Sequence, residues 1–181
     1  MSTVNANPVV KLQLSLLDFD IEKWRHHITD CERLGIRFHS LAELGDNEAN
    51  RKRMYELNKE CSADIPGRGS FYSYEEYCVQ RFDVNSFLAS GVILAVQGDV
   101  WVGMASVSHR PGADYAFNEM TGVVRSHRRL GIATSAKAIS LQFAKSLGVS
   151  SIRTVHAAAN LVAIAMNRRL GYTDLPKENA W

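Results

Sequence analysis

An antiparallel hairpin followed by a strand–helix–strand unit is the feature that most restricts how this chain can fold. Gly91 to His109 (GVILAVQGDVWVGMASVSH) reads as two apolar strands joined by a turn at Gln97-Gly98-Asp99. Tyr115 to Val124 follows as a third strand. A helix then begins near Leu130, with an apolar stripe formed by Ile132, Ala136, Ile139, Phe143 and Leu147. A hairpin in front of alternating strands and helices predicts an α+β fold, with one mixed sheet and helices packed on it.

The rest of the chain supplies further strands and helices without an internal repeat or a linker. Asp20 and Ser73 fit helix N-caps, and Glu76 stands three residues after Ser73, which is a capping-box pattern. The predicted elements are a strand at 9–17, a helix at 21–34, a strand at 36–40, a helix at 47–61, a loop at 62–70, a helix from 74, a helix at 130–147, a strand at 151–156, a helix at 160–170 and a final strand at 171–176.

Composition excludes several classes of protein. The chain has 181 residues and a net charge of +2, which favours one ordinary domain and gives no general attraction to nucleic acid. Cys31, Cys61 and Cys78 lack metal-ligand spacing and read as reduced thiols. With no signal peptide and no apolar run of membrane length, we expect a flexible tail at residues 1–7, a single domain over 8–181, a cytoplasmic location, and neither membrane nor nucleic acid as partner.

The start of the helix at 130–147 has the residues of a phosphate site. The first turn of a helix offers unpaired N–H groups and a partial positive charge. Gly131 and Ala133 keep the approach to the backbone small, Arg128 and Arg129 add positive charge, and Thr134 adds a hydroxyl. This pattern suits a pyrophosphate, and an ordinary helix start with solvated arginines is the alternative.

Two stretches resemble one enzyme family. TGVVRSHRRLGIATSAK is similar to the acetyl-CoA signature of the GCN5-related N-acetyltransferase (GNAT) superfamily, whose core, Arg/Gln-x-x-Gly-x-Gly/Ala, falls on Arg128, Gly131 and Ala133. NLVAIAMNRRLGY, from Asn160 to Tyr172, resembles the later helix of the family at a similar spacing. The match spans about Val92 to Tyr172 and is closest to the mycothiol synthase-like and tandem members.

The resemblance implies a fold, a reaction and a set of donor contacts. The fold would be a predominantly antiparallel sheet with helices on both faces. The reaction would be acetyl transfer from acetyl-CoA to a primary amine by direct attack in a ternary complex, without a metal; the amine would belong to a small molecule or to a peptide N-terminus. The residues that would contact acetyl-CoA are Val123, Val124, Arg128, Arg129, Leu130, Gly131, Ile132, Ala133, Thr134, Asn160 and Asn167.

The catalytic residues are harder to assign. Glu119 shares a strand face with Thr121 and Val123, and it is our first candidate for the base, ahead of His109 and Asp114. Many family members carry a tyrosine as the acid on the thiolate side, seven residues after the first asparagine, and this chain has Asn167 there. Because an amide cannot release a proton at neutral pH, the acid is absent, replaced by water or supplied from elsewhere. Tyr172 is predicted to lie in the core.

The segments that would select the acceptor are Ile65 to Tyr77 and His109 to Tyr115. Tyr72 and Glu75, together with the neighbouring aromatic and acidic residues, could bind a cationic amine, and the alternative is a helix with a buried aromatic side and a solvated acidic side. Glu119 is a candidate for the same contact. An exposed glutamate on a strand is the alternative for it.

Two further expectations concern assembly and rival functions. The strand at 9–17 is predicted to complete the edge of the sheet, within the chain or across a homodimer, because family members carry a further strand after the last one found here. One rival function is a non-catalytic sensor that binds acyl-CoA. The other is a helix-turn-helix DNA-binding regulator, in which Gln142 to Asn160 would carry both helices.

Overall fold

The computed structural model describes residues 8–176, so the predicted tail at residues 1–7 lies outside the described residues. Its strands are β1 Val9–Ser15, β2 Ile36–Ser40, β3 Val92–Gln97, β4 Val100–Ser108, β5 Tyr115–Val123, β6 Ser151–Ala157 and β7 Thr173–Asp174. They form a sheet in the order β2-β3-β4-β5-β6-β1-β7. β5 and β6 run parallel, whereas the other neighbours run antiparallel. The prediction of a mixed, predominantly antiparallel sheet is confirmed.

The helices agree with the sequence pattern except at two places. They are α1 Arg25–Arg33, α2 Leu41–Leu44, α3 Glu48–Ser62, α4 Tyr74–Tyr77, α5 Ile132–Ser146 and α6 Leu161–Arg169. The short helix α2, which begins at a capping box of Ser40 and Glu43, was not predicted. The capping box of Ser73 and Glu76 is present, but α4 makes only one turn before the chain continues as a π-helix over Cys78–Phe82.

Helices α3 and α5 cover opposite faces of the sheet. A Cβ added to Gly122 of β5 would come within 2.5 Å of Cys61 on α3, whereas one added to Gly103 of β4 would come within 3.0 Å of Ile132 on α5. Gly103 pairs with Val123, the residue after Gly122, and successive strand residues point to opposite faces. The expected arrangement, with helices on both faces, is confirmed.

Strand β1 lies inside the sheet rather than at its edge. It pairs with β6 from Val9↔Ala157 to Ser15↔Ser151, and the two-residue strand β7 pairs with its other side. Leu12, Leu14 and Leu16 are buried against α5 and β6. The strand ends at Ser15, two residues earlier than predicted, and Leu17 is 72% exposed.

The helix-turn-helix hypothesis is wrong. Ser151–Ala157, which would have begun the second helix, forms strand β6 in the interior of the sheet. Its alternating burial matches a strand, because Ile152 and Thr154 face the core.

None of the helices in residues 8–176 combines the length and the apolar character that a membrane crossing would need.

Candidate active site

The two parallel strands separate in the middle of the sheet. β5 and β6 pair only from Tyr115↔Ser151 to Phe117↔Arg153. The last polar contact between them is from the Thr154 hydroxyl to the carbonyl oxygen of Asn118, at 3.2 Å. Beyond this point, Glu119–Val123 of β5 and Val155–Ala157 of β6 form a fork, and the chain leaving β5 leads directly to the N-terminus of α5.

The backbone of β5 turns one set of polar groups towards this fork. The N–H of Val124 donates to the carbonyl of Val102 at 3.0 Å, so it is committed to β4. Because the pairing direction alternates along a strand, the N–H and C=O of Val123 face the opposite edge, where β6 has moved away. The carbonyl of Val123 accepts from Arg128 Nε at 3.1 Å. Of the two valines assigned to acetyl-CoA, Val123 therefore has its N–H on the side of the fork.

The loop before α5 holds two residues in the left-handed region. Arg129 has φ 67° and Gly131 has φ 83°. A Cβ on Gly131 would lie 3.6 Å from His27 and 3.9 Å from Cys31, which are ordinary contact distances. Glycine is thus favoured here by its backbone conformation. The expectation that Gly131 leaves room for a ligand beside the backbone stays a prediction.

The first turn of α5 has no side-chain cap. Its N-cap residue is Gly131, so no N-cap side chain accepts from the backbone N–H groups of this turn. Arg129 and Leu130 are exposed, Ala133 and Thr134 are half-buried, and Ile132 is buried. The uncapped N–H groups and the nearby Arg129 are suited to an anion.

Arg128 is held by the protein itself. Besides the carbonyl of Val123, it contacts Asp64 at 2.7 Å, and Arg125 contacts the same carboxylate at 2.6 Å. The hydrogen bonds from Arg125 and Arg128 hold the pKa of Asp64 below its ordinary value. Arg128 therefore shapes the loop through protein contacts, which leaves Arg129 as the more available cation.

Asn160 is the N-cap of α6. Its side-chain oxygen accepts from the backbone N–H of Ala163 at 3.3 Å. The capping role considered for it from the sequence is therefore present.

On the α3 side of the sheet, Glu119 faces a cavity of about 130 Å³. The walls come from α3, the loop at 63–73, the α4–π-helix segment, and strands β4 and β5. The pairing of β4 with β5 shifts register between Ser106 and Val107, where Glu119 is the additional residue of a β-bulge. Glu119 accepts hydrogen bonds from Arg81 at 2.5 Å and from the Ser108 hydroxyl at 2.6 Å. It is thus a paired carboxylate beside the fork.

The acceptor residues predicted around α4 are placed elsewhere. Glu75 is exposed, and neither Glu75 nor Tyr72 lines the cavity. Tyr72 packs edge-on against Phe71, and its carbonyl accepts from the Tyr55 hydroxyl at 2.8 Å. Among the aromatic residues of this segment, Tyr77 lines the cavity, where its hydroxyl accepts from Asn58. The aromatic residues chiefly pack against one another, as the structural alternative predicted.

The other candidates for a base have structural contacts. A ring nitrogen of His109 lies 2.9 Å from the carbonyl of Ala113, within the loop that carries it. Asp114 does not line the cavity, and its backbone carbonyl accepts from the backbone N–H of Ser150 at 3.0 Å. Glu119 is the carboxylate that lines the cavity within the described part of the chain.

On the α5 side, the sheet buries a lysine. Lys137 is 1% exposed, and its ammonium donates to the side-chain oxygens of Asn118 and Asn167. It also lies 4.8 Å from the centre of the Tyr172 ring. No salt bridge joins Lys137 to a carboxylate in residues 8–176, and burial lowers the pKa of Lys137 to about 7.

Asn167, at the position of the family's tyrosine, belongs to this buried cluster. It is 0% exposed, and its amide nitrogen lies 2.6 Å from Nε2 of His156. Burial, aided by the charge of Lys137, lowers the pKa of His156 to about 4, so the ring is neutral and Nε2 can accept from the amide. Tyr172 is 2% exposed, as predicted, and burial raises the pKa of its hydroxyl.

Sequence reasoning missed Lys137, Arg81 and Arg68. Lys137 could have been found, because it shares an i, i+4, i+7 face of α5 with Leu141 and Ala144, and all three are buried. Arg81 and Arg68 gave no such signal. Arg81 pairs with Glu119 on β5, and Arg68 reaches the cavity from the loop at 63–73.

Within residues 8–176, neither the cysteines nor the potential metal ligands form a further catalytic or metal site. The three cysteines are free thiols, and burial raises the pKa of Cys61 to about 12, which disfavours a reactive thiolate. Residues 8–176 contain no group of three or more His, Cys, Asp or Glu side chains arranged to hold a metal ion.

Solved structures share this fold. A GCN5-related glucosamine N-acetyltransferase region of a fungal multi-domain GH3 β-N-acetylglucosaminidase matches with a TM-score of 0.65 at 15% identity, over 94% of this chain and 20% of that one. A tandem GNAT protein of the clavulanic acid biosynthesis pathway gives 0.63 at 20% identity, over 94% of this chain and 51% of that one. The chain thus spans about half or less of these proteins.

A third solved structure matches the chain over a similar share of both lengths. It is the diaminobutyrate acetyltransferase of Paenibacillus lautus with L-2,4-diaminobutyric acid and coenzyme A. Its TM-score is 0.54 at 20% identity, over 74% of this chain and 73% of that one. No curated protein sequence matches the chain. The model of the acetyltransferase (GNAT) family matches residues 51–172, which include the fork, the loop before α5, and Glu119. The chain is a member of the acetyltransferase (GNAT) family, whose members use acyl-CoA.

Proposed function

We propose that the chain is an N-acetyltransferase that transfers the acetyl group of acetyl-CoA to a primary amine of a small molecule. The observation that carries this proposal is the fork between β5 and β6. It lies between an uncapped helix N-terminus, suited to a pyrophosphate, and the cavity that contains Glu119. The solved structures with this fold include enzymes named for glucosamine and diaminobutyrate, which are both small-molecule amines.

In this proposal the N-terminus of α5 and Arg129 bind the pyrophosphate, and the N–H of Val123 faces the arm of the donor. A backbone N–H directed at the thioester carbonyl would stabilise the oxygen as it gains negative charge. The amine enters from the cavity on the other side. Direct transfer then requires both substrates to be bound at once.

Glu119 is proposed to hold the amine and to take its proton. A carboxylate has about four lone-pair positions, and Arg81 and Ser108 use two of them. The remaining positions can accept an N–H from the substrate, directly or through one water. The pairing with Arg81 and Ser108 fixes the position of the carboxylate at the wall of the cavity.

The leaving thiol is proposed to depart without a protein acid at Asn167. Both ends of that amide are occupied, by Lys137 and by His156, and an amide releases no proton. A thiol with a pKa of about 8.5 is a good leaving group as the thiolate, so the missing acid costs little near neutral pH.

The test is stabilisation by acetyl-CoA, followed by release of free thiol with a panel of amines. A rise in melting temperature with acetyl-CoA and thiol release with some amine are expected. No rise would contradict the proposal. A rise without thiol release on any amine would instead favour the acyl-CoA sensor.

A matched pair of variants tests the location of the donor site. Gly131 and Gly148 lie at opposite ends of α5 with φ of 83° and 78°, and aspartate is one of the few residues that adopt this region. Gly131→Asp places a carboxylate at the helix N-terminus, where it suits the protein but competes with a pyrophosphate. Gly131→Asp should weaken acetyl-CoA binding at least about tenfold, and Gly148→Asp should not. Equal effects of the two changes would exclude this site.

A further inference from the structure

The cavity beside Glu119 contains an arginine that lacks an anion. Arg68 lines the cavity, and its Nε is buried without a hydrogen-bond partner among residues 8–176. The guanidinium lies 4.6 Å from the centre of the Phe71 ring, which fixes its position but supplies no negative charge. No salt bridge in the described ranges involves Arg68.

The neighbouring charges do not compensate for Arg68. The titratable groups that act on it are Tyr72, Tyr77 and Arg81, and none of them is a carboxylate. Burial lowers the pKa of Arg68, with Arg81 contributing in the same direction. The carboxylate of Glu119 is already bonded to Arg81. Two guanidinium groups and one carboxylate therefore line the cavity and leave it with one excess positive charge.

Arg68 is half-buried, and its buried Nε–H lacks an acceptor, which is costly; a bound anion would remove that cost. Guanidinium groups match carboxylates especially well, because their planar donors can form paired hydrogen bonds. The cavity also offers the hydroxyl groups of Ser86, Ser106 and Ser108. It thus combines an acceptor for an amine, at Glu119, with a donor for an anion, at Arg68.

The volume of the cavity limits the size of the group that it encloses. At about 130 Å³, it is close to the engineered cavity of about 150 Å³ that binds benzene, a molecule of six heavy atoms. An amino group, a short carbon link and a carboxylate fit this volume, and a longer substituent would extend towards solvent. A polyamine or an amino sugar would leave Arg68 without an anion.

We propose that the acceptor is a small amine that also carries a carboxylate, of the amino-acid class, with its carboxylate on Arg68 and its amine at Glu119. This inference rests on the proposed acetyltransferase function and names the substrate class of the same site. It differs in the residues involved from the expectation made from the sequence, in which aromatic and acidic residues between Phe71 and Tyr77 bind a cationic amine.

The test compares amines that differ only in the carboxylate: ornithine with 1,4-diaminobutane, lysine with 1,5-diaminopentane, and alanine with ethylamine. Thiol release from acetyl-CoA gives kcat/KM for each. In the pair with the most active substrate, kcat/KM for the carboxylated amine should exceed that of its partner about hundredfold, because only the carboxylated amine forms a charge pair with the half-buried Arg68. Arg68→Gln should remove this preference by lowering kcat/KM for the carboxylated amine alone, and Arg68→Lys should retain part of it.

A binding measurement keeps the test decisive if turnover is slow. The melting temperature is measured with saturating coenzyme A and each amine, for the unaltered protein, for Arg68→Gln, and for Arg33→Gln as a control at an exposed arginine of α1. Stabilisation by the carboxylated amines that is lost only in Arg68→Gln supports the inference. Equal response to both members of each pair, or a preference that survives Arg68→Gln, overturns it while leaving acetyl-CoA stabilisation intact. Loss of that stabilisation would instead overturn the proposed function.

Discussion

Asn118 and Glu119 are neighbours on β5, and they face opposite sides of the sheet with opposite electrostatic arrangements. The carboxylate of Glu119 forms a salt bridge with Arg81; the side chain of Glu119 is 27% exposed and that of Arg81 is 36% exposed. Asn118 accepts a hydrogen bond from the fully buried ammonium of Lys137. That ammonium is bound by the amide oxygens of Asn118 and Asn167 instead of by a carboxylate. One strand thus carries an accessible charge pair on one face and an inaccessible single charge on the other.

This difference in exposure indicates that Glu119 serves catalysis and that Lys137 serves stability. The pair at Glu119 keeps part of its exposure to solvent, and its charges can be shared with a substrate that enters the cavity. The ammonium of Lys137 is desolvated, and its bonds join α5 to β5 and, through Asn167, to α6 and to His156 on β6. These are the elements around the fork. We therefore expect changes at Glu119 to affect catalysis and changes around Lys137 to affect stability.

The largest expected effect is that of Glu119→Gln on activity. Removing the base should lower kcat/KM by about 100- to 1000-fold, while the side chain keeps its shape and can still accept from Arg81 or Ser108. The melting temperature and its rise with acetyl-CoA should change little. Glu56→Gln, at an exposed glutamate of α3, is the matched control. Full activity of Glu119→Gln would show that Glu119 is not the base.

The next effect is on stability, at the other face. Asn167→Leu takes one of two acceptors from a buried ammonium and should lower the free energy of unfolding by about 3 kcal/mol at pH 7. In a Lys137→Met background the same change should cost much less, because no charge is then left unsolvated. Urea unfolding of the unaltered protein, the two single variants and the double variant completes a double-mutant cycle. Additive effects would show that Asn167 does not stabilise the lysine.

Sequence patterns identified the parts of this site that depend on local structure. The strand β5, the capping box at Ser73 and the glycine before α5 all follow from neighbouring residues. Glu119 was found from its place on this strand, but the prediction that it shares a face with Thr121 and Val123 is wrong. The β-bulge at Glu119 breaks the alternation, so Glu119 lines the cavity on the α3 side, whereas Val123 packs beside Gly103 on the α5 side. Arg81, the partner of Glu119, lies 38 residues earlier in the chain, and no local pattern connects the two.

Lys137 shows a different limit of sequence reasoning. The predicted stripe of α5 ran through Ile132 and Ala136 to Ile139 and Phe143, but the last two are only half-buried. The fully buried face is rotated and includes Lys137, Leu141 and Ala144. Helix α5 packs against the sheet and also against α1, so it is covered on more than one side. An amphipathic stripe assumes a single buried side, and the predicted stripe therefore did not include Lys137.

The smallest expected effect, the pH dependence of stability, tests the state of Lys137 directly. Burial lowers its pKa from 10.5 to about 7 in the folded protein. Between these values the unfolded chain holds a proton that the folded protein has released, so the free energy of unfolding should rise with pH, by at most about 1.4 kcal/mol per pH unit. Lysine burial is therefore most costly below pH 7, and this cost is relieved towards pH 10.

Lys137→Met removes the titrating group and leaves the tyrosines and cysteines in place. Urea unfolding at pH 7, 8 and 9 should show a steeper rise for the unaltered protein than for Lys137→Met, and parallel slopes would mean that the buried lysine stays charged.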